Sequence, residues 1–161
     1  MTWAILDVDG VLADVRHRLT YVQSRPKDWD AFFAAAPRDG VLPDGLARAR
    51  DLAEEHELVY LTGRPERCRA DTDVWLSEHG FPKGHLVMRP DTDRRPARLF
   101  KVGQVHRLAR KQGVAVIVDD DEAVVEALRS EGYHVEHAVW MQETEPLQST
   151  LFDAQEREGR T

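Results

Sequence analysis

Two aspartates with one residue between them, Asp7 and Asp9, close the first apolar run of the chain, Trp3-Ala4-Ile5-Leu6, and Gly10 follows at once. Side chains alternate along a strand, so on extended backbone the pair shares a face. Carboxylates this close repel unless a cation or a shared proton stands between them. The pair is therefore predicted to bind a divalent metal at the carboxyl end of a strand, where open α/β sheets place their ligands. Two further apolar runs end in reactive residue types, Leu58–Leu61 in Thr62-Gly63-Arg64 and Val114–Val118 in Asp119-Asp120. Lys101, near the start of a predicted helix, is expected to reach the same edge; Lys83 competes but sits in a turn before the third strand. Hard oxygen ligands around an open position suit Mg²⁺, which keeps waters and shares a phosphate with the protein. The added hydroxyl, lysine and arginines make this the chemistry of phosphoryl transfer. Asp7, ionised by metal contact, can attack phosphorus and form an aspartyl-phosphate. Asp9 can protonate the leaving oxygen and then deprotonate the hydrolytic water. Those tasks need different protonation states, set by different environments.

The elements that must position these groups follow from periodicity. Residues 43–56 repeat Leu46, Ala49, Leu52 and Ala53 at helical spacing. Helices are also predicted over 66–79, 99–111 and 122–130, with a short one capped by Asp28 and running to Ala35. Strands are predicted at 58–62, 85–88, 114–118 and 133–138. The β-branched run Val114–Val118 suits a central parallel strand covered on both faces. The alternation gives an α/β, Rossmann-like three-layer sandwich around a parallel sheet of about five strands. One domain is expected over 1–140, with a small insertion at 13–42 beside the aspartates, and a tail, 141–161, carrying a weakly amphipathic stretch (Leu151, Phe152, Ala154). With so short an insertion there is no large cap domain, and the site is expected to be comparatively open.

In order and spacing, Asp7-Val8-Asp9-Gly10-Val11, Leu61-Thr62-Gly63-Arg64, Lys101 and Val118-Asp119-Asp120 resemble the four motifs of haloacid dehalogenase-like (HAD) phosphatases. The resemblance implies Asp7 as nucleophile, Asp9 as acid/base, and Thr62 and Lys101 as holders of the phosphoryl group. It implies metal ligation by Asp7, the Asp9 main-chain carbonyl and one of Asp119 or Asp120. Arg18, Thr62-Gly63-Arg64-Pro65 and Met88-Arg89-Pro90-Asp91-Thr92-Asp93-Arg94-Arg95 resemble the 3′-phosphatase domains of the bacteriophage polynucleotide kinase-phosphatase type. That closer likeness implies phosphate contacts from Arg18, Gly63 and Arg64, and a DNA or RNA 3′ end as substrate. It departs at Ala97, where the phage pattern has an acidic residue one turn before the lysine. No G-x-x-x-x-G-K-[ST] is present, so no kinase motif accompanies it.

Composition bounds the rest. The chain has 161 residues, 42% hydrophobic and 32% charged, with a formal charge of −7. An overall acidic chain is not a general nucleic-acid coat protein, although a local basic groove remains compatible with it. Cys68 is the sole cysteine, which rules out an internal disulfide and a multi-cysteine zinc site. No apolar run approaches the ~20 residues that cross a bilayer, and with the first strand beginning by residue 3 a cytoplasmic address is expected. Asp121 is read as a helix N-cap, Trp29 as core packing rather than a base-stacking platform, and Cys68 as a small core residue. About half of the arginines at 16, 18, 64, 67, 69, 89, 94, 95 and 98 are read as surface charge, the others as a phosphate-backbone groove. The functional expectation is Mg²⁺-dependent removal of 3′-phosphates from polynucleotide ends. The alternatives are a phosphatase of nucleotides or small phosphomonoesters, and a non-catalytic phosphate-binding adaptor.

Overall fold

The computed structural model describes residues 1–141 and 145–161. In chain order the first elements are β1 (Trp3–Leu6), β2 (Ala13–Asp14), α1 (Thr20–Gln23), α2 (Trp29–Ala34), β3 (Gly40–Val41), α3 (Pro43–Ala53) and β4 (Glu57–Pro65). They are followed by α4 (Arg69–Glu78), β5 (Gly84–Arg89), α5 (Ala97–Ala109), β6 (Val114–Asp119), α6 (Glu122–Ser130), β7 (Val135–His137) and α7 (Glu145–Phe152). A π-helical turn, Asp153–Arg157, continues from α7.

Five strands form one parallel sheet in the order β5-β4-β1-β6-β7, so β1 is central and Leu6 pairs with both Tyr60 and Val118. This is the expected α/β, Rossmann-like architecture. The alternation along β1 builds two cores. Ala4 and Leu6 face one with Leu52, Trp75 and Leu76 of α3 and α4; Trp3 and Ile5 face the other with Phe100, Val105, Val124 and Leu128 of α5 and α6. Strands covered on both faces have no solvent side, which is why β1 and β6 read as unbroken apolar runs. Their register brings the residues after Leu6, Leu61 and Val118 to one edge.

The segment 13–42 folds over that edge. Its ends are stitched by the antiparallel pair β2–β3, in which Ala13 faces Val41 and Asp14 faces Gly40. Asp28 caps α2 by accepting from the Ala31 amide at 2.9 Å, as expected. The expected helix 99–111 begins two residues earlier, because Pro96 ends the preceding loop and needs no amide hydrogen at the helix entrance. Residues 145–157 of the tail are helical, with Leu151 and Ala154 buried. No helix among the described residues is long and apolar enough to cross a membrane.

Candidate active site

The sheet edge brings together Asp7, Asp9, Arg18, Thr62, Gly63, Arg64, Lys101, Asp119 and Asp120, and it sorts the two leading aspartates into opposite surroundings. Asp7 leaves β1 with one carboxylate oxygen accepting from the Val8 amide at 2.8 Å and the other 3.0 Å from Lys101 Nζ. Lys101 is buried in the second turn of α5 and also donates to Asp119 at 2.6 Å. Burial alone would push its ammonium down, but Asp119 and Asp7 override this and hold it above the usual lysine range. One oxygen each from Asp7, Asp119 and Asp120 lie within 4.8 Å of one another. Burial pushes the Asp7 carboxyl up to about 7 against the pull of Lys101, with Asp119 and Asp9 adding to the rise. Asp120 is likewise pushed well up by burial and then by Asp7 and Asp119, and its buried Oδ1 has no hydrogen-bond partner.

Gly10 is fixed here by geometry. Its φ of +83° is left-handed, and a Cβ would run into the Asp120 carboxylate. The Asp121 side chain accepts from the Ala123 amide at 3.0 Å, the expected helix cap. Burial, together with the neighbouring Glu156 carboxyl, pushes Asp121 up to about 9. A cavity of about 180 Å³ beside Asp120, between the β7 end and α7, is lined by Gly10, His137, Leu147 and Leu151.

Asp9 points the other way. Its Oδ1 accepts from Arg64 Nη2 at 2.6 Å, Arg64 Nε at 2.9 Å and Arg18 Nη2 at 2.9 Å. Burial would raise this carboxyl, but Arg64 and Arg18 outweigh it and hold Asp9 well below the usual carboxylate range. Both guanidinium groups are fully buried and also share Asp39, which accepts from Arg18 Nε at 2.8 Å and Arg64 Nη2 at 2.9 Å. Asp39 further contacts His17 Nε2 at 2.6 Å, and its carbonyl accepts from the Trp75 indole at 2.9 Å. Arg64 reaches Thr72 at 3.1 Å, and Arg18 stacks 4.4 Å over Phe32 with its Nη1 buried and unpartnered. Thr62 is fully buried and its hydroxyl accepts from the Arg64 amide at 3.1 Å.

Sequence reasoning did not find Asp39. It lies in the stretch Pro37–Pro43, whose Pro, Asp and Gly content reads as a plain connector. Its signal is the β2–β3 pairing, which a four-residue ladder in two polar segments hides. Arg89, named in the motif Met88–Arg95 and among the loop arginines, is a buried strand-end residue that donates to the Gly63 carbonyl at 3.1 Å. Arg67, Arg69, Arg94 and Arg95 stand at the exposed periphery in ion pairs or carbonyl contacts, and the half-buried Arg98 pairs with the buried Glu156. Cys68 is buried and packs in the core, as expected.

The expectation of an open site is overturned. Asp9 is 1% exposed and Thr62 not at all. The cover comes from the tail: the Thr161 hydroxyl donates to Asp9 Oδ2, and its main chain lies on Gly63.

The donor set fits a hard divalent cation. Five carboxyls, Asp7, Asp9, Asp39, Asp119 and Asp120, face three cations, Arg18, Arg64 and Lys101, which leaves the cluster two positive charges short. The shortfall lies wholly on the Asp7 side, where the upward shifts are, and Asp120 Oδ1 offers an unused lone pair there.

Known proteins share the fold of this chain. Among solved structures, a chain of the Pnkp1/Rnl/Hen1 RNA repair complex superposes with a TM-score of 0.71 at 22% identity, covering 84% of this chain and 42% of that one. The present chain thus spans less than half the length of that relative. A haloacid dehalogenase-like family protein from Streptococcus pneumoniae matches with a TM-score of 0.60 at 16% identity, covering 93% and 90%. The class C acid phosphatase from Bacillus anthracis matches at 0.63 and 14% identity, covering 85% and 66%. These likenesses show the shared fold. No curated protein matches. Residues 2–139 match the family described as the polynucleotide kinase PNKP phosphatase domain, and the chain belongs to that family, a HAD-type phosphatase domain.

Proposed function

We propose that this protein is a Mg²⁺-dependent phosphomonoesterase that removes 3′-phosphates from DNA or RNA ends. The observation that carries this reading is the opposite treatment of two carboxyls two residues apart, one short of positive charge and one saturated with it. Asp7, with Asp119 and Asp120, would hold the metal, together with the Asp9 main-chain carbonyl. Bound there, Mg²⁺ supplies the positive charge that ionises Asp7 at neutral pH and offsets charge on the phosphoryl oxygens.

Asp7 then attacks phosphorus, the ester P–O bond breaks, and the leaving oxygen takes its proton from Asp9. In the second half Asp9 takes a proton from water, the water oxygen attacks phosphorus, and Asp7 is released with inorganic phosphate. Thr62 and Lys101 hold the transferring group, with Arg18, Gly63 and Arg64 binding the phosphate. Protonating Asp9 requires its arginines to loosen, and an incoming phosphate gives them another partner. Arg18 Nη1 is already free to donate. The polynucleotide assignment rests on the family and on the peripheral arginines. Arg67 lines a groove together with Lys27, Trp29 and Arg160.

The test is release of phosphate from 3′-phosphorylated oligonucleotides with Mg²⁺, against nucleoside 3′- and 5′-monophosphates. Higher kcat/KM on the oligonucleotide supports the reading, and no turnover of any oligonucleotide rejects it. The enclosure of Asp9 and Thr62 favours a second reading, a phosphatase of small phosphomonoesters, because a closed site excludes water around a small substrate. Preference for the mononucleotides would select it.

A further inference from the structure

Both oxygens of Asp9 are engaged, Oδ1 by Arg18 and Arg64 and Oδ2 by the hydroxyl of Thr161. A leaving-group oxygen needs to reach one of them within hydrogen-bond distance, about 2.6–3.2 Å. The contact it needs is therefore already made by the protein itself. Thr161 is 3% exposed, and its main chain rests on Gly63, where the bare backbone leaves room that no side chain would.

The segment leading to it is seated residue by residue. Glu156 is buried against Arg98, accepting from Nη1 at 2.6 Å and from the main-chain amide at 3.2 Å. Glu158 pairs with Lys27. Gly159 has a left-handed φ of +59°, and a Cβ there would collide with the carbonyls of Arg94 and Arg95. The Arg160 amide donates to the Ala154 carbonyl at 2.8 Å, and its guanidinium lies 5.0 Å from the Trp29 ring centroid. Arg160 thus covers an aromatic face in the groove lined by Lys27 and Arg67, and Thr161 fills the reaction centre. This path over an aromatic ring and between basic residues is the one a single-stranded end would take.

We propose that residues 158–161 are an internal plug of the phosphoryl site, which holds the enzyme silent when docked and must be displaced by substrate. The inference rests on the phosphatase reading above. Docking is made reversible by its chemistry: two of the ties, the Glu158–Lys27 ion pair and the Arg160–Trp29 cation–π contact, lie at partly exposed positions and are each worth little in water, and the buried Thr161–Asp9 hydrogen bond is one that a phosphoryl ligand can replace. A docked plug lowers apparent affinity by the fraction of molecules in the open state.

The experiment removes residues 158–161 and keeps the buried anchors Ala154, Gln155 and Glu156. A second variant, Gly159→Ala, undocks the segment in the full chain. Both are expected to raise kcat/KM on para-nitrophenyl phosphate by about tenfold or more, with melting temperature confirming the fold. A synthetic peptide of residues 153–161 is expected to inhibit the shortened protein competitively. Calorimetric titration with inorganic phosphate and Mg²⁺, which needs no turnover, is expected to show tighter binding to both variants. Equal turnover in all three proteins, with no inhibition by the peptide, overturns the plug and leaves the phosphatase reading standing. Tighter phosphate binding by the variants without turnover in any of them keeps the plug and removes the hydrolase. Unchanged phosphate binding overturns the plug whatever the turnover.

Discussion

Asp7 and Asp9 come from one turn, yet the regions around them obey different electrostatics. On the Asp7 side three carboxyls gather around one lysine, and burial lifts two of them. On the Asp9 side two arginines are divided between two carboxylates, and Asp9 is held low. The first region is unfinished without an added cation; the second is balanced in charge and buried. Residue type is the same at both positions, so the division of roles comes from what other strands and loops bring to them. Access differs as well. Asp120 lines a cavity beside α7, whereas Asp9 is covered by Thr161.

That contrast can be broken from either side. Asp7→Asn removes the carboxylate proposed to attack phosphorus and is expected to lower kcat by at least ~10⁴-fold, more than 5 kcal/mol of barrier, while inorganic phosphate still binds. Phosphate release and calorimetry check it together. Asp39→Asn leaves two buried guanidinium groups sharing one carboxylate. Breaking such a network is expected to cost about 3–5 kcal/mol of unfolding free energy, read by urea denaturation. A loss below 1 kcal/mol would show that the arginine side is not the self-contained unit described. Gly10→Ala combines a left-handed φ with a collision at Asp120. It is expected to cost about 1–3 kcal/mol in stability and to weaken Mg²⁺ binding, measured by titration.

The smallest effect, and the most direct contrast, is in pH. In metal-free protein Asp7 is raised from 3.8 to about 7. Its contribution to stability is therefore full below about pH 4 and lost as pH rises toward 7. Asp9, depressed, contributes above about pH 4 and loses that contribution as pH falls. Melting temperature of metal-free protein should then fall between pH 4 and 7, with the raised Asp120 and Asp121 adding to the share of Asp7. Asp7→Asn should reduce that slope and Asp9→Asn should not. Added Mg²⁺, which needs the ionised carboxyl, should stabilise increasingly over the same interval.

The sheet and its edge were legible because parallel central strands leave an apolar signature, and each signature here stops at an Asp, a Thr-Gly or an Asp-Asp. Lys101 was readable from its place near a helix start, although its burial was not. Asp39 was hidden because pairing over two residues leaves no periodicity. The cover over the site was hidden for a different reason. Gln155-Glu156-Arg157-Glu158-Gly159-Arg160-Thr161 has the composition of a solvated tail. It is seated by partners 58 to 152 residues away, Arg98, Lys27 and Asp9, that no local pattern announces.

The two-rung ladder β2–β3 has a consequence for how this chain can change length. Asp9 makes a bridge to Ala13, Ala13 pairs with Val41, and Asp14 with Gly40, immediately after Asp39. The ladder is a ruler that fixes how far Asp39 stands from Asp9. Insertions or deletions between those rungs and the two aspartates would change the spacing on which two arginines depend. The exposed residues Ser24–Pro26 lie outside that ladder, so a change of length there leaves the Asp9–Asp39 spacing alone, while Lys27 just beyond them is held by Glu158.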